Sequence, residues 1–222
     1  MNTTTREKPM SPETGAPGAC KRSTWTRQFG HPVGVLGWAV GHLMAAKNAY
    51  MNRLTVELLN VQPDDRVLEI GFGPGTLIHM LEKRATNGFV AGIDVSALMV
   101  KQASRRNREF IKTGRVELRQ GTVSSLPYED GRFTKICTVN TFHHWTSPEN
   151  DFREVSRVLD EGGLLFLCLR MKHPSRKFMV APGFTETEAE EVQALVRRAG
   201  FCNIRTERRQ LGREVTCVMA NR

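Results

Sequence analysis

The chain has no apolar run long enough to cross a bilayer. Its most hydrophobic stretch, 33–46, is broken by Gly34, Gly37, Gly41 and His42, well short of the roughly 18 uninterrupted apolar residues that a spanning helix needs. The first residues also lack the continuous apolar region of a secretory signal, and a cytoplasmic protein is expected. Cysteine is sparse: five residues, an odd number, scattered and without a C-x-x-C pair. That pattern argues against a disulfide framework, and no metal is expected. Cys137, Cys168 and Cys217 fall in strand-like runs and read as buried thiols. The phosphate-cradling pattern G-x-x-x-x-G-K-[ST] is missing. Acidic residues are outnumbered, 23 against 32 Lys and Arg, for a formal charge of +9 over 222 residues.

The densest signal present is Val67-Leu68-Glu69-Ile70-Gly71-Phe72-Gly73-Pro74-Gly75-Thr76. A β-prone run ends beside an acid, a glycine-rich turn follows, and Leu77, Ile78, Met80 and Leu81 then recur as one helix face. This is a strand, a tight loop and a helix, the opening of a nucleotide-type α/β unit. Glycines at alternate positions let a ligand approach bare backbone. The dinucleotide pattern G-x-G-x-x-G/A is met at Gly71 and Gly73, but Thr76 stands third and Gly75 comes one residue early. Pro74 withdraws an N–H from a turn that a diphosphate needs rich in donors. The loop therefore suits a ligand without phosphates.

The segment 88–94 reads as a second buried strand, ending at Asp94. An acid about 20 positions after such glycines is placed to accept hydrogen bonds from ribose hydroxyls. Ser96 is the expected N-cap of a helix that starts Ala97-Leu98-Met99-Val100. A third strand over 115–121 leads into Thr122-Val123-Ser124-Ser125-Leu126-Pro127, and a fourth over 135–139 ends on Asn140-Thr141-Phe142-His143-His144-Trp145. The stretch 151–163 predicts a helix stopped by Gly162 and Gly163, and 164–169 a fully apolar fifth strand. Thr185 and Glu188 predict a capped helix start, with Val192, Leu195, Val196 and Ala199 on its buried face. Gly200-Phe201 stops that helix, and two strands follow near Ile204 and over 215–219. Strands alternating with helices imply a largely parallel sheet.

Together these motifs resemble the class I S-adenosylmethionine-dependent methyltransferases. Their first motif, E/D-x-G-x-G-x-G, is matched by Glu69, Gly71, Gly73 and Gly75. Their pattern G-D-A-x-x-L-P-F-x-D-x-x-F-D is matched at Gly121, Leu126, Pro127, Asp130 and Phe133, while Thr122 and Thr134 replace its two further aspartates. Trp145, Pro148, Glu154, Arg157, Leu159, Gly162 and Gly163 keep the register of a block found in the ubiquinone/menaquinone-biosynthesis-like branch. The resemblance spans about residues 60–170. It implies a Rossmann-like, seven-stranded α/β sheet of order 3-2-1-4-5-7-6 with strand seven antiparallel and helices on both faces. It also implies S-adenosylmethionine as cofactor, held by Glu69, Gly71, Phe72, Gly73, Pro74, Gly75, Asp94, Val95, Ser96, Met99, Gly121, Thr122, Val123 and Asn140.

Three regions follow along the chain. Residues 1–25 are polar and rich in Thr, Pro and Gly, and a disordered tail is expected. Residues 26–60 are expected to form a helical substrate cap, with a helix carrying Leu43, Met44, Tyr50, Met51 and Leu54; residues 61–222 form the core. The stretch 170–184 is short, so the roof over the acceptor falls to Trp25, Phe29, Trp38 and Tyr50, with His143 and Trp145 beneath it. His143, and after it His144, are the candidate general bases. The expected acceptor is a small, partly apolar molecule, met by a monomer or homodimer. Nucleic-acid methylation ranks lower, because the basic groups are dispersed and N-P-P-Y is absent at 140–143. A nicotinamide oxidoreductase is disfavoured by Thr76 and by the lack of a Tyr-x-x-x-Lys pair. Thr122 and Thr134 keep a non-catalytic cofactor-binding module in view.

Overall fold

The structure is a computed structural model that describes residues 48–172, 183–210 and 213–222. Seven strands form one sheet: β1 (Arg66–Ile70), β2 (Phe89–Asp94), β3 (Val116–Gln120), β4 (Phe133–Val139), β5 (Leu159–Arg170), β6 (Cys202–Gln210) and β7 (Glu214–Asn221). Their order is β3-β2-β1-β4-β5-β7-β6. The first five run parallel, and β7 lies antiparallel between β5 and β6. This is the order and the reversed strand that the resemblance implied.

Alternation along each strand divides the core in two. On β5, Leu165, Leu167 and Leu169 face one side, and Phe166 and Cys168 the other. The first side is covered by α5 (Pro148–Val158) through Phe152, Val155 and Val158, and by α6 (Glu186–Arg198) through Ala189, Val192 and Val196. The second is covered by α1 (Ala49–Leu59) through Met51, Leu54 and Leu59, by α2 (Thr76–Glu82) through Leu77, Ile78 and Leu81, and by Ala103 of α3 (Ala97–Arg106). A short α4 (Arg108–Lys112) follows α3. Burial on both faces is why the central strands read as unbroken apolar runs. Cys137, Cys168 and Cys217 are all fully buried in the second cluster, as expected.

Most local expectations hold. Ser96 caps α3, accepting from the Met99 N–H. Thr185 and Glu188 form a reciprocal capping box at α6. One expectation is corrected: the helix expected over 151–163 begins at Pro148 and ends at Val158, and Leu159 already pairs with Phe133 across the sheet. Gly162 and Gly163 thus lie within β5 and do not stop the helix, because strand pairing overrides the local glycine signal. Leu43 and Met44, expected on the N-terminal helix, lie outside the described residues. Residues 49–59 of the expected cap form α1, which packs on the sheet.

At the amino edge of the sheet the polar groups are closely matched. Lys135 Nζ donates to the carbonyls of Leu59 and Asn60 and pairs with Asp65 at 2.9 Å. Thr134 Oγ1 donates to Asp65 Oδ1 at 2.7 Å and accepts from the Arg66 N–H. Thr134 therefore lies at the opposite end of β4 from Asn140, and Asp65 from the neighbouring segment supplies the acid there.

Candidate active site

The glycine turn joins β1 to α2 at the carboxyl edge. Gly71 N–H donates to Ile93 O at 2.8 Å, so the turn starts by stitching β1 to β2. Gly75 is left-handed, and a β-carbon on it would lie 2.5 Å from Cβ of Ala103. It thus does the helix-packing work that the dinucleotide pattern assigns to its third small residue, one position early. Asn107, fully buried, reinforces that contact by donating to Gly75 O at 3.1 Å. Gly73 differs. Its φ is +53°, and among the described residues a β-carbon there would meet nothing within 4 Å. Gly73 is where the backbone lies open to a ligand.

Two buried carboxylates stand beneath this turn. Asp94 Oδ2 accepts from the Gly73 N–H at 2.8 Å and Oδ1 from the Ser96 N–H at 2.9 Å, clasping the β1 and β2 exits together. Glu69 is 3% exposed, and its Oε2 has no hydrogen-bond partner among the described residues. Burial, and then the charge of Asp94, pushes the Glu69 carboxyl well above its ordinary value of 4.5. Val95 is the one large exposed hydrophobic side chain among the described residues, at 40%. Met99 is buried behind it.

The exit of β3 is held by the helix that follows β4. Gly121 N–H donates to Asp94 O at 3.0 Å. Thr122 is exposed and Val123 is buried. Ser124 Oγ donates to Asp151 Oδ1 at 2.5 Å, and Asp151 is fully buried. Glu154 Oε1 accepts from the Leu126 N–H at 2.8 Å, while Arg157 donates to the carbonyls of Leu126 and Tyr128 and to Asp130. The Arg157 hydrogen bond holds the Glu154 carboxyl below its ordinary range. Glu154 and Arg157 of α5 therefore act as a clamp on 126–130. In the sequence both belong to a motif that carries no role for them, and Ser124, Asp151 and Asn107 carry no signal beyond being polar.

The exit of β4 is a turn under constraint. Asn140 takes φ +54°, unusual for a residue with a β-carbon, and its N–H donates to Cys168 O at 2.8 Å. Its Oδ1 is buried without a hydrogen-bond partner among the described residues. Thr141 Oγ1 donates to Ile70 O at 3.2 Å and meets the hydroxyl of Thr138. A 3₁₀ turn over Phe142–His144 follows. His143 is half-buried and His144 exposed, their rings 4.1 Å apart, with Phe184 6.2 Å from His143. Trp145 packs on Phe142 and Phe152, each at 5.1 Å, so its ring joins the core beneath the turn.

The structure thus gathers Glu69, Gly71, Phe72, Gly73, Pro74, Gly75, Asp94, Val95, Ser96, Gly121, Thr122, Asn140, His143 and His144 at the ends of β1 to β4. Tyr50 opens α1, half-buried against the second core cluster. Trp25, Phe29 and Trp38 lie outside the described residues.

Comparison with known proteins agrees with this arrangement. A profile described as "Methyltransferase domain" matches residues 67–163. Over 164 residues, 74% of this chain and 86% of the relative, the sequence is 30% identical to the uncharacterized methyltransferase YdaC of Bacillus subtilis. The chain belongs to the class I S-adenosylmethionine-dependent methyltransferases. Within that family it is also 31% identical to the ubiquinone/menaquinone biosynthesis C-methyltransferase UbiE of Pseudomonas savastanoi, over 63% of this chain but only 59% of that protein's length. A methyltransferase structure from Aquifex aeolicus shares the fold, with TM-score 0.64 and 22% identity over 76% of this chain and 88% of its own. Among the described residues no helix is long and apolar enough to cross a membrane.

Proposed function

We propose that this methyltransferase acts on a small, partly apolar molecule held over the turn that follows β4. The observation that carries the reading is that turn: Asn140 strained at φ +54°, with half-buried His143 three residues on and the open Gly73 across from it. Strained residues of this kind cluster at functional sites.

The residues present fit S-adenosylmethionine. Glu69 offers an unmatched buried carboxylate oxygen to a ligand whose methionyl end is cationic. Gly71, Gly73 and Gly75, shaped by Phe72 and Pro74, present the backbone there. Asp94, whose oxygens accept the Gly73 and Ser96 N–H groups at the β1 and β2 exits, takes the ribose hydroxyls. Val95, Ser96, Met99, Gly121, Thr122 and Val123 border the base, and Asn140 Oδ1 faces the reacting end. When bound, the cofactor supplies an activated sulfonium methyl that leaves by in-line displacement. The protein's task is then alignment, which supplies roughly 7–11 kcal/mol of such barriers. An acceptor hydroxyl or acidic carbon loses its proton to an imidazole nitrogen of His143, or of His144, a step worth about 10²–10⁴-fold. Of the expected roof, Tyr50 is the described member and would border the acceptor, while Trp145 supports the turn from below.

The spread of positive charge supports a small acceptor over RNA. Arg105 and Arg106 end α3, which packs beside β3, and Arg205, Arg208 and Arg209 lie on β6 at the opposite edge of the sheet. One experiment decides the matter: transfer of labelled methyl from the cofactor to a panel of small phenols, carboxylic acids and amines, run beside total RNA. Label in a small acceptor is expected, and label in RNA alone defeats the reading. On that acceptor His143→Ala should lose about 10²-fold in turnover at unchanged affinity for S-adenosylhomocysteine. Losses under about tenfold in both His143→Ala and His144→Ala would leave no histidine base.

A further inference from the structure

We propose that Thr141 is a positioning residue for methyl transfer: its side chain ties the glycine turn that receives the cofactor to the turn that carries Asn140 and His143, and so fixes the separation between methyl donor and acceptor. The inference rests on the placement of the acceptor over the β4 exit and adds the part that holds the two turns in register.

Thr141 opens the 3₁₀ turn over Phe142–His144. A threonine in such a place commonly turns its oxygen back onto the N–H groups of its own helix. Thr141 makes no such bond. Its hydroxyl donates instead to Ile70 O, the carbonyl just before Gly71, at 3.2 Å. A hydroxyl has one proton to give, so the bond between the two threonine hydroxyls takes its proton from Thr138. Thr138 is 1% exposed and pairs with Ile70 across β4 and β1. Thr138, Thr141 and Ile70 O thus form one directed chain, anchored inside the sheet and ending at the glycine turn.

The carbon atoms of Thr141 meet the same turn. A β-carbon on Gly71 would lie 2.6 Å from Thr141 Cγ2 and 2.8 Å from Thr141 Cβ. The space left by the missing side chain of Gly71 is therefore filled by Thr141, as that of Gly75 is filled by Ala103, and only Gly73 is left open among the described residues. The cofactor turn is docked at both ends, on α3 through Gly75 and on the β4 exit through Gly71. The β4 exit is held on its far side as well, where the Asn140 N–H donates to Cys168 O of β5 at 2.8 Å. The Thr141 carbonyl accepts from the His144 N–H at 2.8 Å. Thr141 thus touches the cofactor turn with its side chain and the histidine turn with its backbone. In-line displacement depends on such register, since a misplacement of about 1 Å can cost about 10²-fold in rate.

The test follows the His143 ring in the full chain by two-dimensional NMR, with and without S-adenosylhomocysteine, the resonance being identified by its loss in His143→Gln. In the wild-type protein the ligand should shift the His143 signal. Thr141→Val keeps the branched shape beside Gly71 and loses the hydroxyl. Its affinity for S-adenosylhomocysteine should stay within about threefold of wild type, while the ligand-induced shift of His143 falls by at least about half. Thr141→Ser, which keeps the hydroxyl, should restore the shift. On an acceptor from the methyl-transfer panel, Thr141→Val should lose about 10²-fold in kcat with little change in KM. If Thr141→Val does not fold, Thr138→Val, which removes the partner hydroxyl, is read in its place with the same expected direction. A His143 response equal to wild type in the valine variant overturns the proposal, as does a loss that Thr141→Ser does not restore. A fall in S-adenosylhomocysteine affinity that merely tracks lost stability overturns it too, because it shows a structural role alone. A wild-type protein that binds S-adenosylhomocysteine without any response of His143 instead overturns the placement of the acceptor on which the proposal rests.

Discussion

The two edges of the sheet are built from similar residue types and treat them in opposite ways. At the amino edge, Lys135, Asp65, Thr134 and Arg66 answer one another, and Lys135 also caps the carbonyls that end α1. At the carboxyl edge, Glu69 Oε2 and Asn140 Oδ1 are buried without hydrogen-bond partners among the described residues, and Asn140 is strained besides. Buried polar atoms are normally matched, because leaving one unmatched costs about 1–3 kcal/mol. One edge therefore reads as stability, and the other as a site whose missing partners arrive with the ligand. The same contrast disarms a departure from the family pattern. Thr134 lies at the stabilising edge with Asp65 as its acid, so of the two missing aspartates only the one at Thr122 bears on the cofactor.

The comparison breaks first at Gly73. A side chain there has room among the described residues but would enter the space proposed for the ligand. Gly73→Leu should abolish S-adenosylhomocysteine binding by calorimetry, a loss of at least about 1,000-fold, or roughly 4 kcal/mol. Its stability should fall by only about 1–2 kcal/mol, the cost of a left-handed residue other than glycine. The mirror experiment is Lys135→Met at the other edge. It leaves Asp65 and two carbonyls without their cation, and denaturant unfolding should show a loss of about 3 kcal/mol. The folded fraction should bind S-adenosylhomocysteine as before. If Lys135→Met weakened binding as strongly as Gly73→Leu, the division of labour between the edges would be lost.

How much of this was legible depended on distance along the chain. The glycine turn, Asp94 and the helix cap Ser96 lie within 27 residues of Glu69, and period and spacing place them. The sheet order followed from the resemblance, since periodicity carries no information on which strands are neighbours. The clamp by Glu154 and Arg157 on 126–130 joins segments some 30 residues apart, and its residue types read equally well as a solvated helix face. The end of α5 was misplaced because Leu159 is claimed by Phe133 of β4, a pairing that outweighs the stop signal of Gly162 and Gly163. The Asp65 answer to Thr134 joins residues 69 positions apart, and no local signal marks it.

A gentler probe of the contrast is pH, because the two edges carry carboxyls shifted in opposite directions. Burial acts to raise the Asp65 carboxyl, but hydrogen bonds from Lys135, the Gln62 N–H and Thr134 outweigh it, and the group is held below its ordinary 3.8. Its contribution to stability is present above that ordinary value and is lost as pH falls through the depressed one. Glu69 lies well above 4.5, so the folded protein keeps a proton that the unfolded chain releases. Its effect has the other sign: stability declines as pH rises from 4.5 through the elevated value. The ligand's α-ammonium group favours the carboxylate, so S-adenosylhomocysteine should bind more tightly over that same rise and drive off the proton. Glu69→Gln should flatten both trends, and at high pH it should weaken binding by about tenfold, or roughly 1.4 kcal/mol. Asp65→Asn should leave the binding profile unchanged while making the acid limb of the stability curve shallower. Calorimetry in two buffers of different ionisation enthalpy reads the proton directly. A wild-type binding heat independent of buffer, or a Glu69→Gln profile that still rises with pH, would show that the unmatched carboxyl is not what receives the cofactor's positive end.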